Sequence, residues 1–79
     1  MEKISINGNG LGERTGEVAG RVWRQLRAHG PTTAMAIAKA IGRNMDDVHM
    51  AIGWLAREGK LRMEGDRLAL VEHEMRVAI

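Results

Sequence analysis

A mainly α-helical fold with one small antiparallel sheet is what the sequence predicts, and the order of its elements is that of a winged helix-turn-helix domain. Three observations support this prediction. Apolar residues recur at helical spacing in three successive segments, and each segment is followed by a glycine. Only a few residues around Gly42 separate the second segment from the third. The apolar period then shortens to that of a strand on either side of Gly65-Asp66, which is typical of a β-hairpin.

The first helix is predicted over residues 13–29. Its apolar side chains share one stripe and are Val18, Ala19, Val22, Trp23 and Leu26. Gly30 can adopt the left-handed conformation that ends a helix, and Pro31 prevents the helix from continuing. Glu17 and Arg21 lie one helical turn apart, so we expect them to form an ion pair on its surface.

The second helix is short and is predicted over residues 33–41. Its apolar positions follow the helical pattern and are Ala34, Ile37, Ala38 and Ile41. A threonine hydroxyl at either Thr32 or Thr33 can accept a hydrogen bond from the free N–H groups of the first turn. Gly42 is expected to end this helix in the left-handed conformation.

The third helix is predicted over residues 45–58. Its buried stripe consists of Val48, Ala51, Ile52 and Leu55. Asn44 is a favourable N-cap, and Asp47 follows three residues later, as in a capping box. Gly59 is expected to end the helix and to lead the chain into the hairpin.

The hairpin is predicted over residues 61–70, with Gly65 in the first central position of its turn. A two-residue loop determines the register, which pairs Glu64 with Arg67, Met63 with Leu68, Arg62 with Ala69, and Leu61 with Leu70. This register places the large apolar side chains, Met63 included, on the face toward the core. It also places the opposite charges of Glu64 and Arg67 together at the tip.

We expect residues 13–71 to form the domain, with shorter segments on either side of it. Residues 1–12 are predicted to hold a short strand, with Ile4 and Ile6 pointing inward, and a glycine-rich linker. Residues 72–79 continue to alternate, and their apolar side carries His73, Met75, Val77 and Ile79. That tail can extend the second strand of the hairpin, pair with the N-terminal strand, or cross to a partner chain.

Length and composition limit the classes of protein to which the chain can belong. Its 79 residues suffice for one domain, and its formal net charge of +2 is too small to identify a polyanionic partner. The sequence contains no cysteine, which excludes disulfides and thiolate metal sites and suits a reducing cytoplasm, where we expect the protein. No apolar run approaches the roughly 20 residues of a membrane span, and the N-terminus lacks the apolar core of a signal peptide.

The sequence shows no constellation of residues that predicts catalysis. Ser5 is the only serine, no cysteine can act as a nucleophile, and the three histidines lack the spacing of metal ligands. The glycines of residues 7–12 lack the last glycine of a dinucleotide-binding loop, because Glu13 stands in its place. Asp46 and Asp47 are better explained as carboxylates that offset the dipole of the third helix. We therefore expect no catalytic residue, no metal site and no cofactor.

Two strings of residues carry a family resemblance. Residues 51–60 read Ala-Ile-Gly-Trp-Leu-Ala-Arg-Glu-Gly-Lys, and residues 19–26 read Ala-Gly-Arg-Val-Trp-Arg-Gln-Leu. Both resemble strings of a small bacterial and archaeal winged helix-turn-helix family of unknown function. The glycines and the valine that also match that family's pattern are Gly12, Gly30, Gly42 and Val48. The resemblance covers about residues 12–70; it implies the winged-helix fold and implies no particular activity.

DNA is one candidate partner, because the third helix of many winged-helix proteins enters the major groove. Asn44 and Arg57 are the residues of base-reading type near that helix face. The candidates for phosphate contacts are basic residues elsewhere, namely Lys39, Arg43, Lys60, Arg62 and Arg67. They are equally what an ordinary solvated surface carries. Residues 44–58, however, carry one arginine against three carboxylates, a net charge of −2 that would repel phosphates.

A second copy of the chain is the other candidate partner. Met50 and Trp54 lie one turn apart on the predicted outer side of the third helix, where a DNA reader would be polar. Gly16 and Gly20 lie one turn apart on the first helix and would let another backbone approach closely. These residues predict a homodimer interface. The alternatives are that Trp54 folds back over the first helix or the hairpin, and that the glycines serve packing within one chain. DNA binding and self-association both stay open at this point.

Overall fold

The computed structural model describes residues 11–71 and contains three helices and two strands in the predicted order. The elements are α1 (Leu11–His29), α2 (Ala34–Ile41), α3 (Met45–Arg57), β1 (Leu61–Glu64) and β2 (Arg67–Leu70). This order and the antiparallel pairing of β1 with β2 confirm the predicted winged helix-turn-helix fold. The predictions for the strand around Ile4 and Ile6, for residues 7–10 of the linker and for the tail over residues 72–79 lie outside the described residues.

One continuous aliphatic core joins the three helices to the hairpin. Its members are Val18, Ala19, Val22, Leu26, Ile37, Ala38, Val48, Ala51, Leu55 and Leu68. These residues include most of the predicted stripes, whereas Trp23, Ala34, Ile41 and Ile52 are only half-buried and pack against the edge of the core. α1 contacts α2, α3 and β2, so it is the element around which the other parts assemble. Full burial of each large aliphatic side chain contributes about 1.5–3 kcal/mol.

α1 begins two residues earlier than the sequence predicted. Leu11 and Gly12, which were assigned to the linker, form its first turn. The apolar pattern marks a helix only where one face becomes buried, and that burial begins at Thr15. The first turn is exposed, and glycine lowers helix propensity by about 1 kcal/mol relative to alanine, so the sequence pattern did not include these two residues in the helix.

Both helices of the helix-turn-helix pair begin at side-chain caps. Thr33 is the threonine that caps α2, and its Oγ1 accepts a hydrogen bond from Ala36 N at 3.2 Å. Asn44 caps α3 as predicted, and its Oδ1 accepts from Asp47 N at 2.8 Å. Gly42 ends α2 with φ 71°, so the turn between the two helices is confined to three residues.

α3 ends at Arg57, one residue earlier than predicted. Glu58 occupies the C-cap position, and Gly59 follows with φ 75°. Gly59 N donates to Ala56 O at 3.0 Å, and Lys60 N donates to Leu55 O at 2.9 Å. These two bonds satisfy carbonyl groups at the end of the helix and turn the chain directly into β1.

The hairpin has the predicted register, but one of its side chains is placed differently. The four pairs from Leu61–Leu70 to Glu64–Arg67 are all present. Met63, however, was predicted to face the core and is 59% exposed, whereas its partner Leu68 is buried. Met63 lies on the edge strand near the turn, while Leu68 lies on the strand that has a neighbour on each side. The register was therefore right, and the expectation that Met63 is buried was wrong.

The second neighbour of β2 is Thr32, a pairing that the sequence analysis did not predict. Leu68 N donates to Thr32 O at 2.7 Å, and Thr32 N donates to Leu68 O at 3.1 Å. In an antiparallel ladder with a two-residue turn, the Met63–Leu68 pair is the one whose backbone groups point away from each other. Those groups of Leu68 are therefore free to bond Thr32, and they tie the hairpin to the chain just before α2.

Candidate functional site

A network of charged side chains lies where α1 meets the turn between α2 and α3. Arg43 Nη2 lies 3.6 Å from Glu17 Oε1, and Arg43 Nη1 lies 3.5 Å from Asp47 Oδ2. Glu17 Oε2 also lies 3.5 Å from Arg21 Nη2, which confirms the predicted ion pair within α1. The Asp47 side chain is only 16% exposed. Arg43, a candidate phosphate contact, is thus held between two carboxylates and links α1 to α3.

The two candidate base-reading residues lie at opposite ends of α3. Asn44 precedes the first turn, and its side-chain oxygen is already bonded to Asp47 N. Arg57 is the last residue of the helix, about 20 Å further along at roughly 1.5 Å per residue. Asp46 is exposed between them, close to Asn44. A helix N-terminus attracts anions, but here Asp46 and Asp47 already offset that charge and would repel a phosphate.

Two basic residues at the hairpin, Lys60 and Arg62, lie beside carboxylates as well. Lys60 Nζ lies 3.8 Å from Glu58 Oε1, and Arg62 forms an ion pair with Glu64. The tip was predicted to be closed by an ion pair between Glu64 and Arg67; within residues 11–71 Glu64 pairs with Arg62 instead. Arg62 and Glu64 are two residues apart on one strand, so their side chains share a face of the hairpin.

Lys39 and Arg67 are the remaining candidates for phosphate contacts. Both side chains are exposed, on α2 and β2 respectively. Neither forms an ion pair with another residue between positions 11 and 71. Of the five candidates for phosphate contacts, Lys39 and Arg67 are thus the two without a carboxylate partner within residues 11–71, and they lie on different elements. α3 contributes one exposed cation, Arg57.

Trp54 lies against α1. Its ring atoms Cζ2 and Cη2 lie 3.6 and 3.7 Å from the position that a Cβ of Gly16 would occupy. Of the two arrangements that the sequence leaves open, this is the one in which the tryptophan folds back over the first helix. Gly20 has a different neighbour, because its Cβ position lies 3.6 Å from the guanidinium of Arg24. Trp54 nevertheless remains 38% exposed.

The Trp54 ring separates two grooves along the line where α3 crosses α1. The first, which we call the front groove, has a volume of about 710 Å³ and is lined by Leu11, Thr15, Met50, Gly53, Trp54 and Arg57 among others. The second, the rear groove, has a volume of about 420 Å³ and includes Ala19, Trp23, Arg24, Trp54, Leu55 and Lys60. Met50 and Trp54 thus lie on the flank of α3 that faces α1, rather than on its outermost face.

The front groove gathers exposed apolar side chains. Five large apolar side chains are exposed within residues 11–71, and three of them, Leu11, Met50 and Trp54, line this groove. Leu11 is 59% exposed, and the sequence does not mark it as a groove residue because it falls in the predicted linker. It lies two helical turns before Val18, in phase with the buried stripe of α1, and this spacing is the pattern that could have identified it.

Two further properties concern metals and membranes. Among the described residues, no group of three or more histidine or acidic side chains is placed to hold a metal ion. No helix in the same part of the chain is both long and apolar enough to cross a membrane.

Comparison with known proteins agrees with the architecture. No curated protein and no solved structure shows significant similarity to the chain. A family model does match, over residues 11–74, and its description is a winged helix-turn-helix domain, DUF2582. The matched range contains all three helices and both strands. Because the match spans most of the chain, the protein belongs to the DUF2582 family of winged helix-turn-helix domains.

Proposed function

We propose that this chain is a non-catalytic binding module that self-associates through the front groove and does not read DNA with α3. The observation that carries the proposal is the clustering of Leu11, Met50 and Trp54, all exposed, around one groove between α1 and α3. Winged-helix domains are typically non-catalytic binding modules. A cytoplasmic location, expected from the lack of cysteine, is part of the same proposal.

The composition of the groove supports a protein partner. Exposed apolar side chains that are contiguous mark interaction sites, and tryptophan and methionine are enriched at the centres of protein interfaces. The face has both a depression and exposed apolar side chains, since Leu11 and Met50 line the groove and are 59% and 42% exposed. A face of that kind can pair with itself around a two-fold axis, the commonest symmetry of homo-oligomers.

The charges on α3 argue against DNA reading, the role that the third helix has in many winged-helix proteins. Its first turn carries Asp46 and Asp47. Arg43, in the turn just before the helix, forms ion pairs with Asp47 and Glu17. A duplex that placed its backbone here would meet carboxylates before it met a free cation. The structural roles of Arg43 and Asn44 explain why polar residues stand at this turn without invoking DNA.

Sedimentation of purified protein tests the proposal. We expect the wild-type chain to sediment as a dimer and the variant Met50→Ser to shift toward monomer. Met50 is suited to this test because it is 42% exposed, whereas Trp54 also packs on Gly16 within the monomer. Met35→Ser is the matched control, since Met35 is 59% exposed on α2 and does not line the groove. A wild-type chain that stays monomeric at the highest soluble concentration contradicts the proposal.

Binding to the DNA backbone is the second candidate, and a different observation favours it. Lys39 and Arg67 are exposed cations without a carboxylate partner within residues 11–71, and the fold is one that many DNA-binding proteins share. In this alternative the hairpin and α2 would contact phosphates and α3 would read no bases. Such binding would depend on salt concentration and show little sequence preference.

A further inference from the structure

The rear groove holds both tryptophans of the chain. Trp23 comes from α1 and Trp54 from α3, and small residues of α1, Gly16, Ala19 and Gly20, form the surface between them. Trp23 is half-buried, and the guanidinium carbon of Arg27 lies 5.3 Å from the centre of its ring. Ala19 is buried and the guanidinium of Arg24 lies 3.6 Å from the Cβ position of Gly20, so the floor of the groove is apolar chiefly at the two partly exposed indoles.

The chain leaves β2 at the edge of the rear groove. Val71 N donates a hydrogen bond to Lys60 O at 2.9 Å, and Lys60 lines the rear groove. Trp23 and Leu70 both pack against the edge of the core. Position 72 therefore follows directly from a residue that is bonded to the groove wall.

The residues that follow have the length and the pattern to occupy the groove. The groove extends along α1 from Gly16 to Arg24, about 12 Å at the rise of a helix. About four extended residues cover that distance at roughly 3.3 Å each, and eight follow Val71 in the sequence. Their apolar positions alternate and include Met75 and Val77, so an extended segment can turn one apolar side toward the floor.

The charges that line the rear groove also favour residues 72–79 as its occupant. Arg24 and Lys60 line the groove together with one carboxylate, Glu58, which pairs with Lys60, so the lining carries one positive charge in excess. The segment 72–79 begins with two acidic side chains, Glu72 and Glu74, in its first three positions. The acidic end of the segment would thus lie closest to the cations at the point where the chain leaves β2.

We propose that residues 72–79 dock in the rear groove of their own chain, with Met75 and Val77 against Trp23 and Trp54. The docking is intramolecular and leaves the front groove free, so it does not depend on the proposed self-association. It assigns the rear groove to the chain itself rather than to a separate partner. It would also give Trp54 a contact on the ring edge that Gly16 does not cover.

Tryptophan fluorescence of the full chain tests this docking, because the sequence has two tryptophans and no tyrosine. We expect the double variant Met75→Ser/Val77→Ser to shift the emission maximum to longer wavelength by several nanometres, since both indoles become more hydrated. Arg76→Ser, on the other side of the alternating pattern, is the matched control and should leave the emission unchanged. Repeating the comparison in Trp23→Phe and Trp54→Phe backgrounds assigns the shift to each ring. Circular dichroism confirms that each variant is folded.

A second measurement needs no substitution. In the wild-type chain we expect nuclear Overhauser contacts between the Met75 methyl group and the indole protons of Trp23 or Trp54. A sample that mixes isotope-labelled with unlabelled chains shows whether those contacts lie within one chain. An unchanged emission in the double variant overturns the proposal, and so do contacts that arise between chains or an emission shift that varies with protein concentration. Because Trp54 also lines the front groove, the concentration dependence is read from Trp23 in the Trp54→Phe background, where a dimer formed through the front groove does not alter the signal directly.

Discussion

The indole of Trp54 lies on the backbone of α1 at Gly16, with ring atom Cζ2 3.6 Å from the position of a Cβ at residue 16. This contact places Trp54 on the flank of α3 that faces α1. The tryptophan is folded against its own chain on one side and remains 38% exposed on the other, between the two grooves. A side chain larger than alanine at residue 16 would meet the ring and hold it away from α1.

A side chain larger than alanine at residue 16 should therefore displace the Trp54 ring. Alanine at this position makes an ordinary van der Waals contact with the ring, and the gain in helix propensity should stabilise the chain by about 1 kcal/mol. Gly16→Leu should displace the ring and lower the free energy of unfolding, measured by urea denaturation of dilute protein. Gly53→Leu is the control, because nothing lies within 4 Å of its Cβ position in α3. Equal effects of leucine at residues 16 and 53 would show that the contact between Trp54 and Gly16 contributes nothing to the free energy of unfolding.

The two members of one cross-strand pair should differ in their importance to stability. Leu68 is buried in the core and Met63 is 59% exposed, although they face each other across the hairpin. Leu68→Ala should cost about 2–5 kcal/mol, because it removes buried methyl groups and leaves a cavity, whereas Met63→Ala should change stability by less than about 0.5 kcal/mol. Thermal and urea unfolding measure the change in stability of both variants. Similar losses for the two variants would mean that Met63 is buried as the sequence pattern predicted.

The network around Arg43 should stabilise the junction of α1 and α3. Arg43→Gln removes both its contact with Glu17 and its contact with Asp47. We expect a loss of up to about 1 kcal/mol in the free energy of unfolding, the range of exposed ion pairs, and a smaller loss at high salt. A double-mutant cycle with Asp47→Asn isolates the coupling of that pair. Lys39→Gln is the control. A coupling of zero would show that Arg43 and Asp47 are close to each other without contributing to stability.

The DNA-backbone alternative predicts a measurable dependence on salt. If α2 and the hairpin bind phosphates, Arg67→Ala and Lys39→Ala should each weaken binding to mixed-sequence duplex DNA. Each lost contact should reduce the slope of log K against log salt by about 0.9. Arg21→Ala is the control, since Arg21 lies on α1 and pairs with Glu17. Titration of labelled duplex at several salt concentrations measures the slope. An unchanged slope in both variants contradicts the alternative.

Much of the fold could be predicted because the relevant interactions are local. The stripes of α1, α2 and α3 follow from helical spacing, and their ends follow from Gly30, Gly42 and Gly59, all of which have positive φ. The register of the hairpin follows from its two-residue turn. Each of these features depends on residues within a few positions of one another, so the order of the chain contains the necessary information.

The candidate surfaces could not be predicted in the same way, because they depend on where separate elements meet. Thr32 pairs with Leu68, Arg43 with Glu17, and Trp54 with Gly16, and in each case the partners are far apart in sequence. Helical periodicity places Trp54 away from the centre of the core but does not say that α1 passes beside it. The sequence thus specifies the helices, the turns and the strand register, whereas the packing of α1 across α3 decides which exposed side chains share a groove. That division follows from the range of the interactions: hydrogen bonds and side-chain spacing within an element are local, while burial is a property of the assembled chain.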